Sequence, residues 1–556
     1  MPYPLPDVSP FRPLCACLFL IAAATPGRVR GQSPAAPAPE TTDYREATVV
    51  VYNQSIPASR KLAETYAKAR RIPAANLVGL ALSKDETISR TEFTTTLAEP
   101  LRAVFSDRGW WTMGQGPDGP QAVNPTRRIL AIMSGVPLRI SEVPDPKAAV
   151  DPATGKPAPP AAGMQNNASV DSELTLLGAP AAKIEGALNN PYYNKDEGVL
   201  AGAPPPLLLV GRIDGPSFPV CERMIADAII VEKTGLWGRV YLDLAMKGPG
   251  YEDGDKWLLE AGRTFGTGGW PVILDAHPQT LPTNYPMTEA AVYLGWYIRS
   301  PDGPFLNPAF RFRRGAVAAH LHSFSATSLK PQSGDWSGAL LSKGAAASLG
   351  NTWEPYLSFT THLNIFSERL VKGYALVEAA WMATPAVSWM NVVLGDPLYR
   401  PFANRKTTPI VRDSEEFQLY QSIVSQNSRS DSHDALLRAM ENAASRRNSG
   451  VLWEGYGVLL QTYVPDDLKR AAAAFEKAAK AYPNEADKIR CYLQVPDMQR
   501  RANQLDGAIA DLKRIISEFP KAPESEAARV WLNILQPPPP PPPNPPPASG
   551  SGRRKR

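Results

Sequence analysis

From residue 47 onward, short apolar runs rich in β-branched residues alternate with longer amphipathic stretches. The runs at 47–53, 129–136, 207–213, 238–245, 272–276, 291–297, 316–323, 345–350 and 391–395 have the length and residue types of strands. Helical spacing fills many of the gaps. Pro57 stands where a first helical turn tolerates it and opens a helix over 57–71, and Ser217 can cap a helix through Glu232 that Gly235 closes. Strands alternating with helices predict an α/β domain with a doubly wound, largely parallel sheet. The Pro/Gly-rich stretches 114–127 and 143–168 read as surface excursions, because strand patterns resume beyond them.

After Pro401 the text is helical and strand-free. Three segments, 436–444, 471–483 and 507–520, superimpose when Met440, Phe475 and Leu512 are aligned, at offsets of 35 and 37 residues. Small residues fall where paired helices must approach, and Pro483 and Pro520 follow the second and third segments. Over about 100 residues this text resembles tetratricopeptide repeats, whose period is about 34. The resemblance implies an all-α helical-repeat domain that binds a protein or peptide partner; a plain helical bundle capping its neighbour is the alternative.

Composition changes the picture mainly at the ends. Of 58 prolines, nine lie in the first 40 residues and ten in 537–547. Arg12, the apolar run 14–24 and the small-residue positions Val29 and Gly31 have the three parts of a secretory signal ending before Gln32. That run is too short to span a bilayer, which takes about twenty residues. The expected organisation is a signal peptide over 1–31, a Pro/Ala-rich leader over 32–45, an α/β domain over 46–403, a linker over 404–412, helical repeats over 413–536 and a Pro-rich basic tail over 537–556. The expected product is secreted or periplasmic, without a transmembrane segment. Cys15 and Cys17 leave with the signal, so Cys221 and Cys491 make no disulfide framework. The formal charge of +5 resides in the two ends and leaves the body at −1, which excludes an electrostatic footprint for nucleic acid.

Ligands of an open parallel sheet bind beyond the carboxyl ends of its strands, so the residues there are the candidates for chemistry. Four of the five histidines, His277, His320, His322 and His362, fall between 277 and 362. His320 and His322 are two apart, which places both on one face of a strand, beside Ser323 and Ser325. Such a pair serves a metal, acts as a base next to a serine, or is a satisfied structural pair, and the sequence leaves all three open. No HExxH, paired CxxC or P-loop is present, so no cofactor or metal is assigned. The candidate set is His320 or His322 as base, Ser323 or Ser325 as nucleophile, and Asp275, Glu354 or Asp396 as the orienting carboxylate. Asp171 and Glu173 read first as a helix start, and Asp214-Gly215-Pro216 as a turn.

Several blocks occurring in order are similar to the signature of an uncharacterised family of exported bacterial proteins, over roughly 46–402. They include Gly135-Val136-Pro137-Leu138, Arg212-Ile213-Asp214-Gly215-Pro216, Gly295-Trp296-Tyr297, His320-Leu321-His322-Ser323-Phe324, Gly350-Asn351-Thr352-Trp353-Glu354-Pro355 and Gly395-Asp396-Pro397-Leu398-Tyr399. That resemblance implies no activity. The last third of the domain is also distantly similar to the gingipain and caspase-like fold, where one strand ends in His-Gly and the next in Cys. Here those ends read Gly295-Trp296-Tyr297 and His322-Ser323-Phe324-Ser325, so a thiol peptidase is not implied. Two function classes result: a binding or scaffold protein working through its repeats, and, as the alternative, a serine- or histidine-based, peptidase-like hydrolase at the strand ends. The oligomeric state is not legible.

Overall fold

The computed structural model describes residues 44–116, 119–143, 160–161, 163–179, 186–196, 207–403, 410–427 and 433–537. The expected signal peptide, nearly all of the leader, linker residues 404–409 and the tail from 538 lie outside them.

Among the described residues, ten strands form one large sheet: β1 (Thr48–Asn53), β2 (Leu77–Leu80), β3 (Ile129–Met133), β4 (Leu209–Ile213), β5 (Arg239–Asp243), β6 (Val272–Asp275), β7 (Ala290–Gly295), β8 (Val317–His320), β9 (Ala347–Asn351) and β10 (Asn391–Gly395). Their spatial order is β6-β5-β7-β8-β9-β10-β4-β3-β1-β2. The sheet is mixed and mostly parallel. Val50 pairs with Leu77, Thr48 with Ile129 and Val292 with Val317 in parallel register. Arg212 opposite Leu394 joins the two halves. Strands such as Thr-Val-Val-Val-Tyr-Asn in β1 are buried on both faces, as the continuous apolar text requires.

Nine of the ten strands coincide with the apolar runs in the sequence. The tenth, β2, lies at the edge and contains Gly79, where a Cβ would stand 2.6 Å from the Tyr52 ring. The glycine lets that ring lie across the edge strand and also interrupts the apolar pattern.

β10 runs antiparallel to β9, with Ala347 opposite Gly395 and Asn351 opposite Asn391. Its first residue therefore stands at the carboxyl edge of β9, and the residue after it, Asp396, emerges at the opposite edge. A strand's apolar text carries no sign of its direction, so the sequence grouped Asp396 with the wrong edge.

Helices cover both faces. α1 (Pro57–Arg70) begins on its proline and ends on Arg71 at φ 57°. α2 (Phe218–Thr234) has Ser217 at its N-cap without a side-chain hydrogen bond, and Gly235 closes it at φ 77°. α3 (Glu252–Gly268), α4 (Trp336–Ser342), α5 (Leu363–Lys372) and α6 (Leu376–Met382) are among the others.

A run of helices follows: α7 (Glu415–Asn427), α8 (His433–Arg447), α9 (Gly450–Tyr463), α10 (Leu468–Ala481), α11 (Glu485–Arg501), α12 (Leu505–Glu518) and α13 (Ser525–Leu535). Each packs on the next. Met440, Phe475 and Leu512, the residues that align the repeats, are buried in α8, α10 and α12.

The alternate helices α7, α9, α11 and α13 meet the α/β domain. Gln421 of α7 packs on Gly269. Arg239, the first residue of β5, donates to Glu454 of α9 at 2.7 Å, and Glu454 also accepts from Arg490 of α11 at 2.7 Å. Trp531 of α13 stacks on His277 at 4.5 Å. One face of the helical run is thus packed on the chain's own α/β domain. Among the described residues no helix is long and apolar enough to cross a membrane.

Candidate functional site

β8 ends at His320, and the chain turns sharply through Ser323 to Ala326. Phe324 adopts φ 59°, a left-handed conformation that costs a non-glycine residue about 1–2 kcal/mol, and Tyr356 on the neighbouring loop adopts φ 60°. Between these loops and the residues after β7 lies a cleft of about 380 Å³, lined among others by Tyr251, Tyr297, His322, Ser323, Glu354 and Tyr356.

Ser323 Oγ donates to Glu354 Oε1 at 2.7 Å, and the same oxygen accepts from Tyr356 N–H at 3.3 Å. His322 Nδ1 hydrogen-bonds the carbonyl of Ser323. A carbonyl only accepts, so Nδ1 carries the proton and Nε2 keeps a lone pair. The His322 ring lies 4.5 Å from that of Tyr297. Burial pushes the His322 pKa down, with the Ser323 carbonyl and Glu354 opposing, so the ring is neutral at pH 7. The Tyr297 pKa is raised, first by burial and then by Glu354, which keeps its hydroxyl a donor.

The turn is held from behind. Asn351 Nδ2 donates to His322 O at 3.1 Å, Asn391 Nδ2 donates to Asn351 Oδ1 at 3.1 Å, and Phe324 N–H donates to Trp353 O at 2.9 Å. Asn391 reaches this edge because β10 runs antiparallel.

The remaining candidates lie elsewhere. His320 is buried and stacks on Trp336 at 3.7 Å. Its Nε2 accepts from Ile298 N–H at 3.0 Å, so its proton is on Nδ1, which faces the Tyr293 hydroxyl at 3.0 Å; that hydroxyl donates to Asp243 at 2.9 Å. Both ring nitrogens of His320 are thus engaged, and its pKa is driven well down, by burial first. The two histidines do not act on one face, because the strand and its alternation stop at His320.

Ser325 is also buried, and its hydroxyl accepts from Asn351 N–H at 3.0 Å behind the cleft. Asp275 accepts from the N–H and Nδ1 of His277, where α11 and α13 dock. Asp396 accepts from Tyr66 at 2.8 Å and from Arg70 at 2.6 Å at the far edge of the sheet. Of the seven sequence candidates, His322, Ser323 and Glu354 share the cleft, and His320, Ser325, Asp275 and Asp396 do not.

Asp171 is committed as well, in a buried ion pair with Arg212 at 2.6 Å. Cys221 and Cys491 are both buried and free, and neither lines the cleft. Among the described residues, no three His, Cys, Asp or Glu side chains are grouped to hold a metal.

Tyr251, Tyr297 and Tyr356 were not among the candidates. The signal for Tyr297 was the aromatic pair that directly follows β7, at a strand's carboxyl end.

No family model matches the chain, and no curated protein does. A solved structure described as "Structure of Protease" is similar at 11% identity and a TM-score of 0.33, covering 64% of this chain and 78% of its own. A likeness of that size carries no argument here.

Proposed function

We propose that the chain is a hydrolase of acyl bonds, peptide or ester, working in the cleft beyond β7, β8 and β9. The observation that carries the reading is the 2.7 Å hydrogen bond from Ser323 Oγ to Glu354 Oε1 inside an open cleft. A serine hydroxyl is a weak nucleophile until an adjacent base accepts its proton, and this pair supplies nucleophile and base within the required reach.

In the reaction, Ser323 Oγ bonds to the substrate carbonyl carbon while Glu354 takes the hydroxyl proton. The Tyr297 hydroxyl donates toward the oxyanion. When the tetrahedral intermediate collapses, the bond to the leaving amine or alcohol breaks and Glu354 returns the proton to it. Water then attacks the acyl-Ser323 ester, giving a proton to Glu354, and as the ester bond breaks to release the acid Glu354 returns that proton to Ser323 Oγ. Neutral His322 presents the Nε2 lone pair to an N–H or O–H of the substrate.

The helical run serves this reading as a brace on the α/β domain. Partner binding through the repeats, the other function class, loses the face that alternate helices would offer and is left with the outer one. The experiment is turnover of a chromogenic acyl ester by the full chain and by Ser323→Ala. Loss of turnover in the variant supports the reading, and equal turnover or none in the wild type overturns it.

A further inference from the structure

The cleft walls describe what is bound beside the reacting carbonyl. Tyr251 faces Trp296 and Tyr297, with ring centroids 5.5 Å away in each case. Trp296 is fixed by its indole N–H on Asp255 at 2.7 Å, and that carboxylate also accepts the backbone N–H groups of Ala245 and Met246. Gly254 on α3 leaves room for the indole, since a Cβ there would lie 2.2 Å from it. On the other side, Gln165 Nε2 donates to the Tyr356 hydroxyl at 2.8 Å. Leu321, Pro355 and Leu357 complete the apolar lining.

Tyr251, Tyr297 and Tyr356 are each only partly covered, and the Lys247 ammonium lies 5.8 Å from the ring centroids of both Tyr251 and Tyr297. Phe324, next to Ser323, is 45% exposed. Apolar surface left open around a reactive pair is a binding surface in waiting. The polar groups of the lining do not suit a sugar ring, which needs a set of free donors and acceptors. Ser323 and Glu354 are engaged with each other, and beside them the lining offers His322, the tyrosine hydroxyls and Thr360.

We infer that the cleft is a specificity pocket for a large aromatic side chain of an extended peptide, placed between Tyr251 and Tyr356 with its carbonyl at Ser323. This deepens the hydrolase reading and rests on it for the position of the carbonyl.

The test is equilibrium binding to the full chain carrying Ser323→Ala, which needs no turnover. The probes are capped hexapeptides that differ only in one central residue, Phe or Ala, with a chitin tetrasaccharide as the sugar arm. The Phe peptide is expected to bind about 30-fold more tightly than the Ala peptide, the scale of burying one aromatic side chain. Tyr251→Ala and Tyr356→Ala, one on each wall, are each expected to collapse that ratio to about threefold. Equal affinities for the two peptides, tighter binding of the sugar, or a ratio unmoved in both wall variants overturns the pocket. A retained Phe preference in a chain that turns over no acyl substrate overturns the catalytic reading and leaves the pocket standing.

Discussion

The hydroxyl of Ser323 and the carboxylate of Glu354 meet at 2.7 Å across the cleft, linking the turn after β8 to the loop after β9. Among the described residues, Glu354 is the one acidic side chain in the lining. Glu354→Gln keeps the size of the side chain and removes the base. It is expected to lower acyl turnover by about 10²–10⁴-fold with little change in KM. His322→Gln, which keeps an acceptor in the cleft, is expected to cost no more than about tenfold by the same initial-rate measurement.

Asp396 tests the separation of the two edges. Its carboxylate is buried and holds Arg70, which also pairs with Glu232 at 2.6 Å. Asp396→Ala leaves a buried guanidinium partly unpaired and is expected to cost about 3–5 kcal/mol in urea unfolding. Below the new midpoint, turnover per folded molecule is expected to stay at the wild-type value, since Asp396 is remote from the cleft.

The strand positions and the helical tail were legible because burial on both faces, or along one helical stripe, writes itself into the order of apolar residues. Direction and committed hydrogen bonds do not. Asp396 looked like its neighbours at strand ends until β10 proved to be reversed. His320 and His322 looked equivalent until the strand stopped between them, leaving one against Trp336 and the other in the cleft. Glu354 and Ser323 are 31 residues apart, and only the parallel stacking of β8 and β9 brings their loops together.

Glu454 governs the docking of the helices. Burial would raise its pKa, but Arg239 and Arg490 outweigh this and bring it from 4.5 down to about 2. A depressed acid contributes its full stability above the unfolded value and loses it as pH falls through the folded one. The helical run is therefore expected to loosen between about pH 4.5 and 2. At neutral pH, Glu454→Gln is expected to cost about 3–5 kcal/mol. Limited proteolysis between α9 and α11 reads both effects.

His362 gives a second acid window. It stacks on Trp257 at 4.0 Å and bonds Tyr193 at 2.8 Å, and burial lowers its pKa from 6.5 to about 4. The folded state favours the neutral ring, so its contribution is complete above pH 6.5 and is lost as pH falls toward 4. Urea midpoints of the wild type are expected to decline across that window, and His362→Phe is expected to flatten the decline.

The most direct measurement is covalent labelling of the full chain by a fluorophosphonate, followed by mass spectrometry of its peptides. One phosphonyl adduct is expected, on Ser323, forming slowly with Glu354→Gln and not at all with Ser323→Ala. An unlabelled wild type, or an adduct on Ser325 or another serine that persists in Ser323→Ala, would contradict it.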